Sequence, residues 1–178
     1  MDTKLTIQQI HLALRNSGLW NKRTDIMIPN LSWGLLPYEA DFVILNKSGY
    51  LTEVEIKRSW EDFKADFKKK HNHDAEQVYY FYYCVPVSIV GKVKEFLMEK
   101  YGEGYSRCAP AVLWYDENGK VREAIDDNLS CFGMHYASCI SPNVKHRKLF
   151  LEEQLTVARL GQLRYWSLLE KTQGHEEH

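Results

Sequence analysis

The sequence predicts an α/β fold around a mixed sheet: helix, three strands, helix and strand, followed by a hairpin and a long helix. Three observations predict it. Short β-branched and aromatic runs alternate with stretches of helical periodicity. Three of those runs follow one another before any second helix, which makes a meander. The next run comes after a helix, which makes a crossover and hence a parallel pair. The chain has 178 residues and is 44% hydrophobic, enough to bury a core without staples. It reads as a single domain over 1–178, with a core over about 6–86 and a C-terminal elaboration over about 87–178.

Each element has its own signal. Thr6 with Gln9 forms a capping box, and Ile7, Ile10 and Leu14 repeat at helical spacing up to Gly18, so a helix is expected from about Thr6 to Ser17. Asp25 to Trp33 reads as a strand weakened by Pro29. Glu39 to Asn46 and Tyr50 to Lys57 are stronger strands, rich in Val, Ile, Leu and Phe. Ser59 with Asp62 is a second capping box, and Trp60, Phe63 and Phe67 share one helical face, which extends the helix to about His71. Val78 to Val85 is a continuous apolar run closed by Pro86, the pattern of a buried strand. Ser88 to Tyr101 reads as a helix with Val93, Phe96 and Leu97 inward. Asn118-Gly119 signals a hairpin between Ala111–Asp116 and Lys120–Ile125. Asp126 to Lys148 has no period and is expected to be a long loop. Leu149 to Lys171 is a long helix whose stripe Leu151, Leu155, Ala158 is most simply core packing.

Composition narrows function without naming it. The net charge of −1 is lower than a general nucleic-acid binder would carry, although an acidic catalytic centre draws the total towards neutral. Basic residues gather in two runs, Lys68-Lys69-Lys70 and Lys145-His146-Arg147-Lys148. The four cysteines form no C-x-x-C pair, which argues against structural zinc, and they read as reduced thiols of a cytoplasmic protein. Cys84 lies in an apolar strand and reads as a small buried hydrophobe. There is no signal-peptide core and no membrane-spanning apolar run, so no membrane association is expected.

The chemistry concentrates in Glu39-Ala40-Asp41 and Glu53-Val54-Glu55-Ile56-Lys57, joined by Asn46-Lys47-Ser48-Gly49. Alternation makes Glu53, Glu55 and Lys57 share one face of their strand, and makes Glu39 and Asp41 share one face of theirs. A three-residue loop of Lys47, Ser48 and Gly49, with Gly in the left-handed position, sets Asn46 opposite Tyr50. Counting back, Asp41 then faces Glu55 and Glu39 faces Lys57, all on one side. A one-residue slip would separate them across the sheet. Two carboxylates about 5 Å apart repel unless a cation lies between them. Mg²⁺ or Mn²⁺ does this with oxygen ligands from Asp41, Glu55 and the Ile56 carbonyl, with Glu39 and Glu53 as further carboxylates within reach. Lys57 would sit beside the attacking water and the developing charge. The competing account is a surface hairpin with cross-strand ion pairs such as Lys57 with Glu39.

At these residues the chain resembles the PD-(D/E)XK, or restriction-endonuclease-like, nuclease superfamily, whose core runs helix, three strands, helix, strand. Asp41 stands where that pattern has its strand-borne Asp, and Glu55-Ile56-Lys57 matches its E-x-K. Val54 to Ser59 with Asp62-Phe63 and Asp66, and the run from Val78 to Pro86, look like the MmcB-like DNA-repair branch. The resemblance implies an endo- or exodeoxyribonuclease dependent on Mg²⁺ or Mn²⁺, acting in repair, recombination or defence, with Asp41, Glu55 and Lys57 catalytic. One departure is that the first helix offers Gln8, Gln9 and His11 where many relatives carry a Glu ligand. That departure favours an alternative, a catalytically degenerate module that binds nucleic acid or a protein partner. Lys64, Lys68, His71, His73, Lys145, Arg147 and Lys148 are candidate phosphate contacts. Solvated helix faces and helix-end polar groups are the ordinary alternative for each. The sequence also leaves a homodimer open.

Overall fold

The computed structural model describes residues 5–31, 34–68, 73, 75–101, 110–124 and 145–173, with backbone alone over 171–173. Thr6 caps α1 (Ile7–Asn16) through the reciprocal bonds of the capping box: its hydroxyl accepts the Gln9 N–H, and the Gln9 side chain accepts the Thr6 N–H. The strands are β1 (Ile26–Leu31), β2 (Ala40–Leu45), β3 (Leu51–Ile56), β4 (Val78–Pro86), β5 (Ala111–Tyr115) and β6 (Val121–Glu123). The other helices are α2 (Trp60–Asp66), α3 (Val90–Tyr101) and α4 (Leu151–Gln173). The six strands lie side by side in chain order. β1, β2 and β3 form the antiparallel meander, β3–β4 and β4–β5 are parallel through α2 and α3, and β6 closes a hairpin with β5. This is the mixed α/β sheet with a long C-terminal helix that the sequence predicts.

Turn chemistry sets the register. Asn46 and Tyr50 close the β2–β3 loop through the Asn46 N–H to the Tyr50 carbonyl, and Gly49 takes φ +84°. Phe42 therefore pairs with Val54 and Val43 with Glu53, so one more step back along the ladder Asp41 stands across from Glu55. A side chain at Gly49 would be strained by that φ, and its Cβ would lie 2.9 Å from the Gln154 amide nitrogen. Pro29 is tolerated because β1 is an edge strand, and the following Asn30 is left-handed at φ +50°.

Alternation sorts the sheet into two faces. One packs Val43, Leu45, Leu51, Phe81, Tyr83 and Val85 against Phe63 of α2, Val93 and Leu97 of α3 and Val157 of α4. The other packs Phe42, Ile44, Val54, Ile56 and Cys84 against Ile10 and Leu14 of α1. Cys84 is fully buried, and burial pushes its thiol pKa up. Every residue of β3 is buried, including Glu53 and Glu55.

Three expectations need correction. α2 ends at Asp66, short of His71, with Phe67 as its C-cap. Its capping box is also half-formed: Ser59 accepts the Asp62 N–H, but the Asp62 carboxylate turns back one residue further to the Arg58 N–H. Leu151 and Leu155 of α4 point into solvent, and the helix presents Val157, Leu160 and Gly161 to the core, with Gly161 against Ile28. The loop expected over Asp126–Lys148 lies outside the described residues except at its end. Among the described residues no helix is long and apolar enough to cross a membrane.

Candidate metal centre

Strand alternation brings Glu53 and Glu55 to the face of β3 covered by α2, with Lys57 just beyond the strand end. The Lys57 N–H is tied to the Cys84 carbonyl of β4. The side chain of Lys57 is buried and donates to Glu55 Oε1 at 2.6 Å and to Asp66 Oδ1 at 2.7 Å. Asp66 reaches the site from the last turn of α2, held there by Phe63, which is fully buried in a cluster with Trp60, Phe67, Tyr83 and Phe96. His73 lies over the cluster with its backbone at φ +52°, a left-handed conformation uncommon for a non-glycine residue and worth weighing at a functional site. Its Nδ1 is 2.6 Å from Glu53 Oε1 and its Nε2 3.0 Å from Asp66 Oδ2. Two tyrosines complete the set. Tyr38 donates to Glu53 Oε2 at 2.8 Å, and Tyr83 donates to Asp66 Oδ2 at 2.9 Å.

The electrostatics follow from that geometry. Three carboxylates, Glu53, Glu55 and Asp66, meet two cationic side chains out of water. Burial raises the pKa of Glu53, and the bonds from His73 and Tyr38 pull it only part of the way back. Burial alone would lower the pKa of His73, but its bonds to Asp66 and Glu53 and the charges of Glu53 and Glu55 outweigh that and carry it to about 10. Both shifts mean that the proton between Glu53 and His73 is retained at neutral pH. The ring is then an imidazolium with both nitrogens donating. Burial and the charge of Asp66 also push the pKa of the Tyr83 hydroxyl far up, so Tyr83 stays a donor.

Glu53, Glu55 and His73 offer one ligand atom each, all within 4.8 Å of one another, a group able to hold a metal ion. Two carboxylate oxygens and one imidazole nitrogen suit Mn²⁺, and suit Mg²⁺ to the extent that oxygen donors dominate. An ion there would take the place of the imidazolium proton, so the donor set fits an ion at the cost of a proton.

The other expected site residues are distributed as follows. Asp41 is half-buried at the edge of the cluster, and its Oδ2 accepts the Ile56 N–H at 2.8 Å, where the strand ladder ends. Glu39 is exposed, while Lys57 turns inward to Glu55 and Asp66. His11 of α1 packs on the other sheet face, stacked on Phe42, and burial lowers its pKa. Lys64 and Lys68 are exposed, Lys64 over the Trp60 ring. Lys145 is exposed, and Lys148 lies over the Tyr50 ring. Arg147 is clamped between Glu76 and Glu153, and Glu153 also accepts the Phe150 N–H, so this arginine anchors the start of α4. His71 lies outside the described residues. His73, expected at an exposed helix end, is buried at the heart of the cluster.

Asp66, Tyr38 and Tyr83 are the site residues that sequence reasoning missed. Asp66 had a signal: it falls three residues after Phe63 and next to Phe67, on the apolar side of its helix, where a carboxylate needs a partner. A pocket of about 190 Å³ lined by Trp20, Tyr80, Tyr82 and Glu123 opens on the α1 face, away from the acid cluster.

No protein-family profile and no curated protein matches the sequence. Among solved structures, the fold is similar to that of a Silicibacter pomeroyi protein of unknown function. The two share 13% identity over 88% of this chain and 85% of that one, at a TM-score of 0.52. That likeness shows a shared fold and no more.

Proposed function

We propose that this chain is a metal-dependent nuclease of the PD-(D/E)XK type, hydrolysing DNA phosphodiesters with Mn²⁺ or Mg²⁺. The observation that carries the reading is the convergence of Glu53, Glu55 and His73 within 4.8 Å, beside Asp41 and the buried Lys57. Glu53, Glu55 and His73 would hold the ion. Bound there, it would supply a Lewis acid for a phosphoryl oxygen and a more acidic water. Lys57, held between Glu55 and Asp66, would present its ammonium where negative charge develops. Tyr38 and Tyr83 fix the carboxylate orientations by donating to Glu53 and Asp66, the supporting bonds on which ligand geometry depends. Asp41 is less buried than Glu53 and Glu55, and would be the carboxylate most open to a phosphate.

One observation favours a second reading. His73 as imidazolium and Lys57 already place two positive charges among Glu53, Glu55 and Asp66, so the centre is closed by its own cations. A module of that kind would bind DNA or a partner without cutting.

Two measurements separate the readings. Purified protein is assayed on single-stranded, duplex and branched DNA with Mn²⁺, Mg²⁺ or EDTA, beside Glu55→Gln and Asp41→Asn. The nuclease reading expects cleavage that EDTA stops and both substitutions impair. Calorimetric titration with Mn²⁺ should show binding with proton release, tightening from pH 6 to 9 as the His73 proton becomes easier to displace. DNA binding with no cleavage and no Mn²⁺ uptake at any pH would establish the second reading instead.

A further inference from the structure

The helix α1 covers only part of its sheet face. It packs on Phe42, Val54, Ile56 and Cys84 and ends at Asn16. Beyond it Gly18, at φ +82°, turns the chain, and Trp20 comes to stand at 89° to the ring of Tyr82 in β4, with centroids 6.3 Å apart. Alternation along β4 brings Tyr80 to the same face, opposite Thr52 of β3. Glu123 of β6 stands across from Leu113. With Asn46 these residues line the pocket of about 190 Å³ on the α1 face. Among the described residues that line it, Glu123 is the one with a charge, and no lysine, arginine or histidine is present. That charge is felt inside: burial first, and Glu123 second, push the pKa of the Tyr82 hydroxyl up, so this ring stays neutral.

We propose that this pocket is a binding site for an organic cation with a methylated ammonium head, held by the rings of Trp20, Tyr80 and Tyr82 with Glu123 as its counter-charge. Two perpendicular rings with centroids 6.3 Å apart bound a corner about 4.5 Å from each, inside the roughly 6 Å over which a ring face attracts a cation. Tyr80 adds a third ring. The same walls select against other heads. An anion would meet Glu123 with no cation to offset it. An ammonium that carries N–H groups needs acceptors, and these walls offer few: the Asn46 Oδ1 already takes the N–H groups of Ser48 and Tyr50. A methylated ammonium has no N–H to satisfy and gives up less hydration on entering. The volume exceeds the roughly 150 Å³ of a cavity that takes a benzene ring, which leaves room for a trimethylammonium head and the first atoms of its tether. The site lies across the sheet from the acid cluster, so the inference is independent of the nuclease reading.

Tryptophan fluorescence of the full chain tests it, with choline chloride exchanged for sodium chloride at constant ionic strength. The expected result is a saturable change with a midpoint of about 1 mM, carried by Trp20 and therefore lost from Trp20→Phe. The neutral isostere 3,3-dimethylbutan-1-ol, and ethanolamine with its N–H groups, should each bind about 5- to 30-fold more weakly than choline, the weight of a desolvated contact between a cation and a ring. Glu123→Gln should weaken choline by about 5-fold or more and leave the neutral isostere unchanged, a difference that general unfolding does not produce. A peptide bearing trimethyl-lysine, beside the same peptide unmethylated, identifies the source of the head: tighter binding than choline means a protein side chain, and weaker binding means a free solute. No saturable response within about 10 mM choline overturns the proposal. So does a neutral isostere or ethanolamine that binds as tightly as choline, or a response that survives in Trp20→Phe.

Discussion

Asp66→Ala is expected to lower the unfolding free energy by about 3–5 kcal/mol, the usual cost of removing one partner from a buried ionic network. Asp66 accepts from Lys57, His73 and Tyr83 at once. Its removal leaves the imidazolium Nε2 and the Tyr83 hydroxyl without that acceptor, and leaves Lys57 with Glu55 alone of its two carboxylates. Water cannot readily compensate at side chains this buried. For a chain of this size the loss corresponds to a fall of about 10 °C in Tm. Asp66→Asn keeps one carbonyl acceptor and should cost less. Urea denaturation of the three proteins checks both values. A cost below about 1 kcal/mol for the alanine variant would mean that Asp66 is not the hub described above.

Stability should decline as pH rises from neutral into the alkaline range, through the cluster itself. The folded-state pKa of His73 is about 10 against an ordinary 6.5, so the folded chain holds this proton more tightly than the unfolded chain does. The resulting stabilisation is fully present below about pH 6.5 and disappears as pH climbs through about 10. Glu53 contributes with the same sign, because burial raises its pKa too, though its window opens lower. A separation of this size corresponds to up to about 5 kcal/mol. Urea midpoints measured from pH 6.5 to 9.5 should fall steadily for the wild type. In His73→Gln they should be lower at pH 6.5 and should lose the part of the fall that belongs to the imidazolium. A flat wild-type profile would show that the ring is neutral in the folded protein.

The meander and the acid hairpin were legible because their determinants are local. Gly49 fixes a three-residue loop, the loop fixes the register, and the register carries Asp41 opposite Glu55. The pairing of Lys57 was not legible. Hairpin geometry pointed Lys57 towards Glu39, but Asp66 arrives from a helix whose approach is set by Phe63 and the aromatic cluster over the sheet. His73 was misjudged for the same reason: it is left-handed and meets Glu53 and Asp66 from other elements, and no short-range pattern reports that. In α4 the sequence holds two apolar stripes, and periodicity cannot say which meets the sheet. The small residue Gly161, facing Ile28, is the feature that decides it.

The strand order, unbroken from β1 to β6, has a consequence for how the chain comes together. Every strand pairs with its neighbour in sequence, so no pairing must wait for a distant partner, and the search is short at each step. The first three strands can assemble while the rest of the chain is still emerging. At that stage, however, Glu53 and Glu55 are two like charges on an uncovered face, hydrated and mutually repelling. Lys57 stands two residues from Glu55, but its second partner, Asp66, and the cationic His73 reach this face only when the α2 crossover docks and β4 adds alongside β3. Closure of that face is therefore an all-or-none event: the charges must be desolvated and matched together, since either alone is costly. Hydrogen exchange pulsed during refolding should find the β3 amides that bond to β4 protected together with those of β4, after the amides between β2 and β3. The most polar part of the interior would then be the last to lock.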